Sequence, residues 1–459
     1  MADLNQSKSE QISLKRSLTL PLVVMFGLAY LAPTVVFNYY GVITASTKGM
    51  MALSYLITTI VMFFTAWSYA KMAAAYPQAG SAYTYVQKSI GPRAGFLTGW
   101  VMLLDYLLMP MACYLLLGVY VNTYFPAVPV WVTVVAIAAI GAVINIIGMK
   151  TATIVDTIII ASQICFCILL IIVITKFVMG GGGSGTLIDR SALYNPENFK
   201  ASAVFTGASI LCVSFLGFDA VTTMAEETKN PKKNIPRAIM IVAVGAGLAF
   251  TVIAYFLQIA WPRGFAEIAD PDSGIFELLT RIDADFMSDI FFITDNLSSF
   301  ICALAGLAAV SRILYTMGRD NILPKKAFGR LSAKFQTPIF NIILTSIIAL
   351  SAIFYADNVF GAVSLVSFGA ITGFVLVNLS VIIHYFYREK RRSGRDIFAY
   401  LVMPGIGLAV SLFLWFNIDT SAKILGGVWL AIGIVYLAFK TKGFRVLPEE
   451  MKHMNFDEE

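Results

Sequence analysis

Charge is scarce in this chain of 459 residues: Asp, Glu, Lys and Arg make up 13% of it, where a soluble domain carries about 25%. Histidine is scarcer still. There are two, His384 at the end of an apolar run and His453 in the C-terminal tail, which excludes a histidine-built metal centre and a buried histidine relay. The five cysteines are Cys113, Cys165, Cys167, Cys212 and Cys302, all inside apolar runs. Cys165 and Cys167, two apart, do not share a helix face, so neither a disulfide framework nor a zinc site is indicated. The glycine run at 180–185 is not followed by Gly-Lys-Ser/Thr, nor is any other. The phosphate-cradling loop of an ATP-driven pump is therefore missing, and the run is expected to be a flexible outer loop. No short apolar leader with a small-residue cleavage site precedes the first long run, so a removable signal peptide is not expected. No cofactor or metal is called for, and without a metal cluster or an activated nucleophile an enzyme is not indicated.

What is abundant is apolar length. Hydrophobic residues make up 58% and mean hydropathy is +0.78. A helix of about 20 residues crosses a ~30 Å hydrocarbon core. Twelve runs qualify: 20–46, 51–75, 94–124, 130–149, 152–178, 201–225, 237–261, 286–317, 338–356, 360–386, 398–417 and 421–440. The expectation is an all-α integral membrane protein with twelve transmembrane helices. The net charge of +6 does not point to nucleic acid, because its distribution follows the membrane. Of the Lys and Arg residues only Lys48, Lys176, Arg190, Lys200, Arg263, Arg281 and Lys423 fall in outward segments if the N-terminus is inside. That positive-inside bias puts both termini in the cytoplasm. Asp156, near the inner start of the fifth span, is expected to pair with Lys150.

Two of the runs are interrupted in the same way. The first reads MFGLAYLAPT, with Gly27 and Pro33 inside it, and the second reads SFLGFDA, with Gly217 and Asp219 inside it. A broken helix frees backbone groups that cost several kcal/mol each in lipid, so it is tolerated where it lines a cavity. A matched pair of breaks marks the substrate site of a secondary transporter. Each break opens a set of five spans, and an odd number forces the second set to insert upside down. The chain divides into an N-terminal tail (1–19), a first five-helix repeat (20–200), a second, inverted repeat (201–386), two further helices (387–440) and a C-terminal tail (441–459).

Three stretches carry a resemblance. They are Tyr76 to Tyr85 (YPQAGSAYTY) with Gly95 to Trp100 (GFLTGW), Phe215 to Asp219 (FLGFD) running through Glu226, Glu227 and Pro231 to Ala238, and Ser311 to Pro324 (SRILYTMGRDNILP). In this order, at the ends of the proposed spans, they resemble the amino acid–polyamine–organocation transporter superfamily over nearly the whole chain. Gly27 to Leu31, Gly80 to Ile90, Leu103 to Leu107 and Ser214 to Thr223 are most similar to bacterial putrescine importers. The resemblance implies a fold of the leucine-transporter type, with discontinuous helices 1 and 6. It also implies proton-coupled uptake of a small amine across a bacterial cytoplasmic membrane, with an amino acid permease, as symporter or exchanger, as the alternative. Where those importers carry Asp in the first span this chain has Asn38, which is neutral. Where several family members carry a Lys in the fifth span as a surrogate for sodium, no Lys or Arg stands between Lys150 and Lys176.

The candidate site follows from these breaks. Ala29, Tyr30, Pro33, Thr34 and Asn38 belong to the first, and Phe215, Gly217, Phe218 and Asp219 to the second. Asp105 and Tyr106 stand in the third span and Asp295 in the eighth. A carboxylate in mid-membrane is expensive and normally faces a cavity. Asp219 leads, for ammonium recognition or proton exchange; its bland alternative is a structural bond to the frayed helix or to a hydroxyl. Asp105 is a substrate anchor, the other candidate for carrying a coupled proton, or a packing contact, and Asp295 a second anchor or an outer vestibule charge, with the vestibule preferred. Tyr30 and Tyr106 offer cation–π contacts, and Phe215 or Phe218 an aromatic lid or core packing. A zwitterionic amino acid would place its carboxylate on free N–H groups near Gly27 and Tyr30. Thr34 and Ser214 could bind sodium if sodium rather than a proton is coupled. At the inner end, Glu226, Glu227, Arg237, Arg312, Arg319 and Asp320 are expected to supply gating ion pairs. The Tyr76 to Tyr85 motif is expected to shape the loop between spans 2 and 3.

Overall fold

The computed structural model describes residues 16, 18–271, 274–319, 323–356, 359–418 and 420–441. Most of the terminal tails, His453 and Asp320 lie outside the described residues, as do the side chains of Lys150 and Asp156. The first run gives α1 (Leu20–Leu31), α2 (Val35–Asn38) and α3 (Tyr40–Thr47). Then come α4 (Met51–Ala75), α5 (Ser81–Ser89), α6 (Pro92–Tyr124), α7 (Val130–Ile147) and α8 (Met149–Met179). The second half holds α9 (Ala201–Leu211), α10 (Pro231–Ala260), the short α11 (Gly264–Glu267) and α12 (Gly274–Arg281), α13 (Asp285–Arg319), α14 (Lys325–Phe328), α15 (Ile339–Ala349) and α16 (Val359–Val381). The last elements are α17 (Gly394–Ile397), α18 (Met403–Asn417) and α19 (Thr420–Lys440).

Among the described residues eleven helical stretches are long and apolar enough to cross a membrane, and the protein is a multi-pass membrane protein. The ninth expected span falls on Ile339–Tyr355, apolar but shorter than the others. α6 and α13 lie deep in the bundle, whereas α7, α18 and α19 are mostly exposed on its outside. The Tyr76 to Tyr85 motif is a loop only as far as Gly80. From Ser81 it forms α5, buried along one side of α6, with the Gly95 and Gly99 backbones against Gln87 and Tyr83. The expectation failed there because a buried nine-residue helix is too short to register as an apolar run.

The first break sits at Ala32–Thr34. Pro33 has no N–H to donate and disfavours helical geometry in the residue before it. Ala32 accordingly turns to φ 57° and ends α1 with its N–H on the Leu28 carbonyl. Gly27 is not part of this break. It lies inside α1, where a side chain would come within 2.6 Å of Val221 and 2.8 Å of Val242; its role is close helix packing. The second break runs through tight 3₁₀ turns, Cys212–Phe215 and Ala220–Glu227, on either side of Leu216 to Asp219. Gly217 has φ +118°, a conformation that suits glycine alone, and a Cβ there would meet Tyr30 of α1 at 2.5 Å. The two breaks therefore lie against each other. At the end of the bundle, Leu18 pairs edge to edge with the segment after the second break. Its N–H donates to the Glu227 carbonyl at 2.9 Å and its carbonyl accepts from Lys229 at 2.8 Å.

Gly217→Ala is expected to destabilise the protein by about 1–3 kcal/mol. Gly245→Ala, in α10 with nothing within 4 Å of the added methyl, is expected to be neutral or slightly stabilising. Fluorescence-detected thermal unfolding in detergent separates the two.

Candidate functional site

Thr34 caps the start of α2, and one turn later Asn38 points its amide across to α13. Asn38 Nδ2 donates to Asp295 Oδ1 at 3.3 Å, while the Tyr120 hydroxyl of α6 donates to Asn38 Oδ1 at 3.5 Å. Asp295 is 1% exposed, and its Oδ2 has no hydrogen-bond partner among the described residues. The Thr34 hydroxyl faces the same carboxylate without closing a hydrogen bond of good geometry. Asp295 is therefore buried beside the first break rather than exposed at an outer surface. The helical spacing carries it inward, beside the first break, because α13 begins ten residues earlier at Asp285.

A small cavity of about 70 Å³ lies at this point, room for several waters at about 10–15 Å³ each. Ala32 and Asn38 line it from the first break, Leu216 from the second, and Asp295, Ser299 and Cys302 from α13. Cys113 of α6 and Tyr39 join them. Ser298, Ser299 and Cys302 follow Asp295 at three, four and seven residues, one helix face. That spacing was the available signal for residues the sequence reading missed; Tyr39, beside Asn38, had none.

A second acidic centre lies on the other side of Tyr30. Tyr106 donates its hydroxyl to Asp219 Oδ2 at 2.7 Å, and the Gly217 N–H reaches Asp219 Oδ1 at 3.2 Å. The carboxylate thus holds the break to a hydroxyl of α6 and to the Gly217 backbone. Asp105, one turn before the cavity-lining Met109, is 3% exposed with Oδ1 unpartnered. Asp105, Asp219 and the hydroxyls of Tyr30, Tyr69 and Tyr106 lie close enough together to interact electrostatically. Tyr30 meets Tyr106 edge-on, ring centres 6.1 Å apart, and its carbonyl accepts the Cys302 thiol at 2.9 Å.

Other expected residues stand apart. Ala29 packs with Ile159, Ile160 and Ile301 in an apolar seam. Phe215 packs edge-on against Phe250, and Phe218 stacks on Phe374; both are fully buried and neither lines the cavity. Ser214 pairs with Tyr55 at 3.2 Å, separately from Thr34. The N–H groups near Gly27 and Tyr30 belong to the regular helix α1. At the bundle end Arg312 pairs with Glu227 at 2.9 Å, both half-buried or deeper, and Arg319 with Glu226 at 3.6 Å. Glu226 also accepts from the Ala79 N–H at 3.4 Å, which ties this end to the segment before α5.

The amino acid permease family model matches residues 22–437. The chain is 38% identical over 438 residues to the low-affinity putrescine importer PlaP of Escherichia coli K12, covering 95% of this chain and 96% of that protein. It is 27% identical over 450 residues to the branched-chain amino acid permease BcaP of Lactococcus lactis, covering 90% and 92%. It is 25% identical over 462 residues to the methylthioribose transporter of Bacillus subtilis, covering 95% of both chains. The two helix breaks, the small cavity between them and these full-length matches agree, and the chain belongs to the amino acid permease family of the amino acid–polyamine–organocation superfamily.

Proposed function

We propose that this permease imports a small diamine of the putrescine type by alternating access, coupled to protons. The carrying observation is the pair of buried carboxylates with unpartnered oxygens, Asp295 Oδ2 and Asp105 Oδ1, set around the two breaks. A buried anion without a partner is costly, and an ammonium is the group that would satisfy it. A diamine has two. The name of the 38% identical relative supports the same substrate. In this reading Asp295 with Asn38 receives one end of the substrate in the cavity. Asp105 receives the other beyond Tyr30, once that ring moves, with Tyr30 and Tyr106 offering aromatic faces. Asp219 takes and releases the coupled proton as Tyr106 and Gly217 let go of it. Phe215 and Phe218 serve as packing behind the second break.

The wider frame belongs to the same proposal. The fold is a 5+5 inverted repeat of twelve spans with both termini cytoplasmic, supported by breaks in the first and sixth spans and by the positive-inside bias. The Arg312–Glu227 and Arg319–Glu226 pairs close the inner gate and part when the site opens inward. A second reading, import of a branched-chain amino acid, is favoured by the apolar share of the cavity wall, which includes Leu31, Leu116, Val213 and Val366.

In vesicles with imposed gradients, labelled putrescine uptake is expected to follow the pH gradient, to ignore sodium, and to be competed by diamines rather than by leucine. Competition by leucine alone would replace this reading with the second. Asp219→Asn, which keeps an acceptor for Tyr106 but loses the charge, is expected to abolish uptake with the protein still in the membrane; wild-type rates would remove it from the mechanism. Asp295→Asn is expected to raise the KM for putrescine roughly tenfold or more, the order of one charge-assisted bond. For the gate, Arg312→Glu and Glu227→Arg are each expected to lose transport, and the double exchange to recover a measurable part of it.

A further inference from the structure

A basic notch walled by aromatic rings sits where α4 leaves the bundle. Lys71 lies one turn before the end of α4 and is partly buried. Its ammonium stands 4.4 Å from the centre of the Trp67 ring and 5.5 Å from that of Tyr400. Tyr400 belongs to the π-helical turn Phe398–Val402 that leads into α18. The Arg391 guanidinium lies over the same ring at 5.8 Å and over Tyr385 at 5.3 Å, and the two tyrosines stack at 4.2 Å. The Trp67 indole N–H donates to the Ala399 carbonyl at 3.0 Å, which fixes α4 against the turn. Arg395 is exposed on α17, which runs directly into the π-helical turn that carries Tyr400, and its charge and that of Arg391 reach Lys71.

Three cations thus converge, and among the described residues the neighbouring acids do not balance them. Glu389 is shared between Arg391 at 2.6 Å and His384 at 3.1 Å. Asp396 accepts the Ser393 hydroxyl at 2.6 Å. Among the described residues no ion pair or hydrogen bond holds the Lys71 ammonium. Aromatic faces attract cations but carry no net charge, so the notch is left with an excess of positive charge at close quarters. It lies at the end of an apolar span, the level at which Trp and Tyr meet lipid headgroups. Ile397, Phe398 and Val402 flank it, exposed by 37%, 58% and 40%, on the outer surface of the bundle.

We propose that Lys71, Arg391 and Arg395 bind the phosphate of an anionic membrane phospholipid. Guanidinium groups match phosphate oxygens in pairs and the lysine adds a point charge, while the three exposed apolar side chains receive the acyl chains. Basic pockets between spans at this depth take such headgroups. The positive-inside rule accounts for basic residues at this end of the bundle, but it does not place Lys71 and Arg391 over one tyrosine ring with no acid on the lysine among the described residues. A lipid seated here would clamp α4 to the turn that starts α18.

Native mass spectrometry of the full chain in detergent, titrated with phosphatidylglycerol or phosphatidylcholine, tests this. The wild type is expected to retain phosphatidylglycerol in preference. Arg395→Gln, at an exposed position that leaves the fold alone, is expected to weaken that binding about fivefold, and Lys71→Gln with Arg395→Gln by more than tenfold, at roughly 1 kcal/mol per basic residue. Lys325→Gln with Lys326→Gln, which removes the same charge at α14, is expected to leave it unchanged. Equal retention of the two lipids by the wild type, unaltered binding in the Arg395 variant, or equal losses in both double variants would overturn the proposal.

Discussion

A helix that stops inside a membrane leaves N–H and C=O groups with no water to take them, and each costs several kcal/mol unless protein satisfies it. Much of the centre of this protein answers that demand. At the first break Pro33 removes one donor outright, Ala32 returns its N–H to Leu28, and Val35 donates back to Ala32 at 2.9 Å. The Cys302 thiol meets the Tyr30 carbonyl from another helix. At the second break the chain tightens to 3₁₀ winding, and Thr222 and Thr223 return their hydroxyls to the carbonyls of Asp219 and Ala220 at 2.6 and 2.7 Å. Threonine is suited to this, since its hydroxyl reaches back along its own helix. Asp219 and Tyr106 complete the seal.

One consequence is a division of labour among the acids. Asp219 is engaged on both oxygens by the scaffold it stabilises, whereas Asp105 and Asp295 each keep an oxygen free of protein partners. Engaged and unengaged carboxylates in one interior differ in what they can do. An unengaged one is ready for a cation, and an engaged one responds when its donors move. Tyr30 stands between the two centres, held by close contact with Gly217 and by the ring of Tyr106. Any displacement of either break is therefore felt at both.

The ends of the broken segments are tied as firmly as their middles. Leu18 pairs with the chain at Glu227 and Lys229, while the Glu227 side chain holds Arg312 of α13. The start of α1, the end of the second broken segment and the end of α13 thus share a single knot. Removing one partner of a buried ion pair costs about 3–5 kcal/mol, so Arg312 and Glu227 each hold this knot together.

Hydrophobic length by itself determined the class of this protein, because no other solvent suits such runs, and Pro33 and Gly217 located the two breaks through restrictions that act within a few residues. The identity of the buried acids was legible for the same reason: charge in an apolar run must be used. What the sequence left undecided was contact. Gly27 looked like part of a break and proved to be a packing surface, because only the approach of Val221 and Val242 distinguishes the two. Asp295 looked peripheral, and α5 looked like a loop, because depth along a helix and burial of a short segment depend on neighbours far away in the chain. Which acid is satisfied and which is left open was likewise decided only by the tertiary structure, since hydrogen bonds between spans depend on the distance and orientation of groups that sequence spacing does not fix.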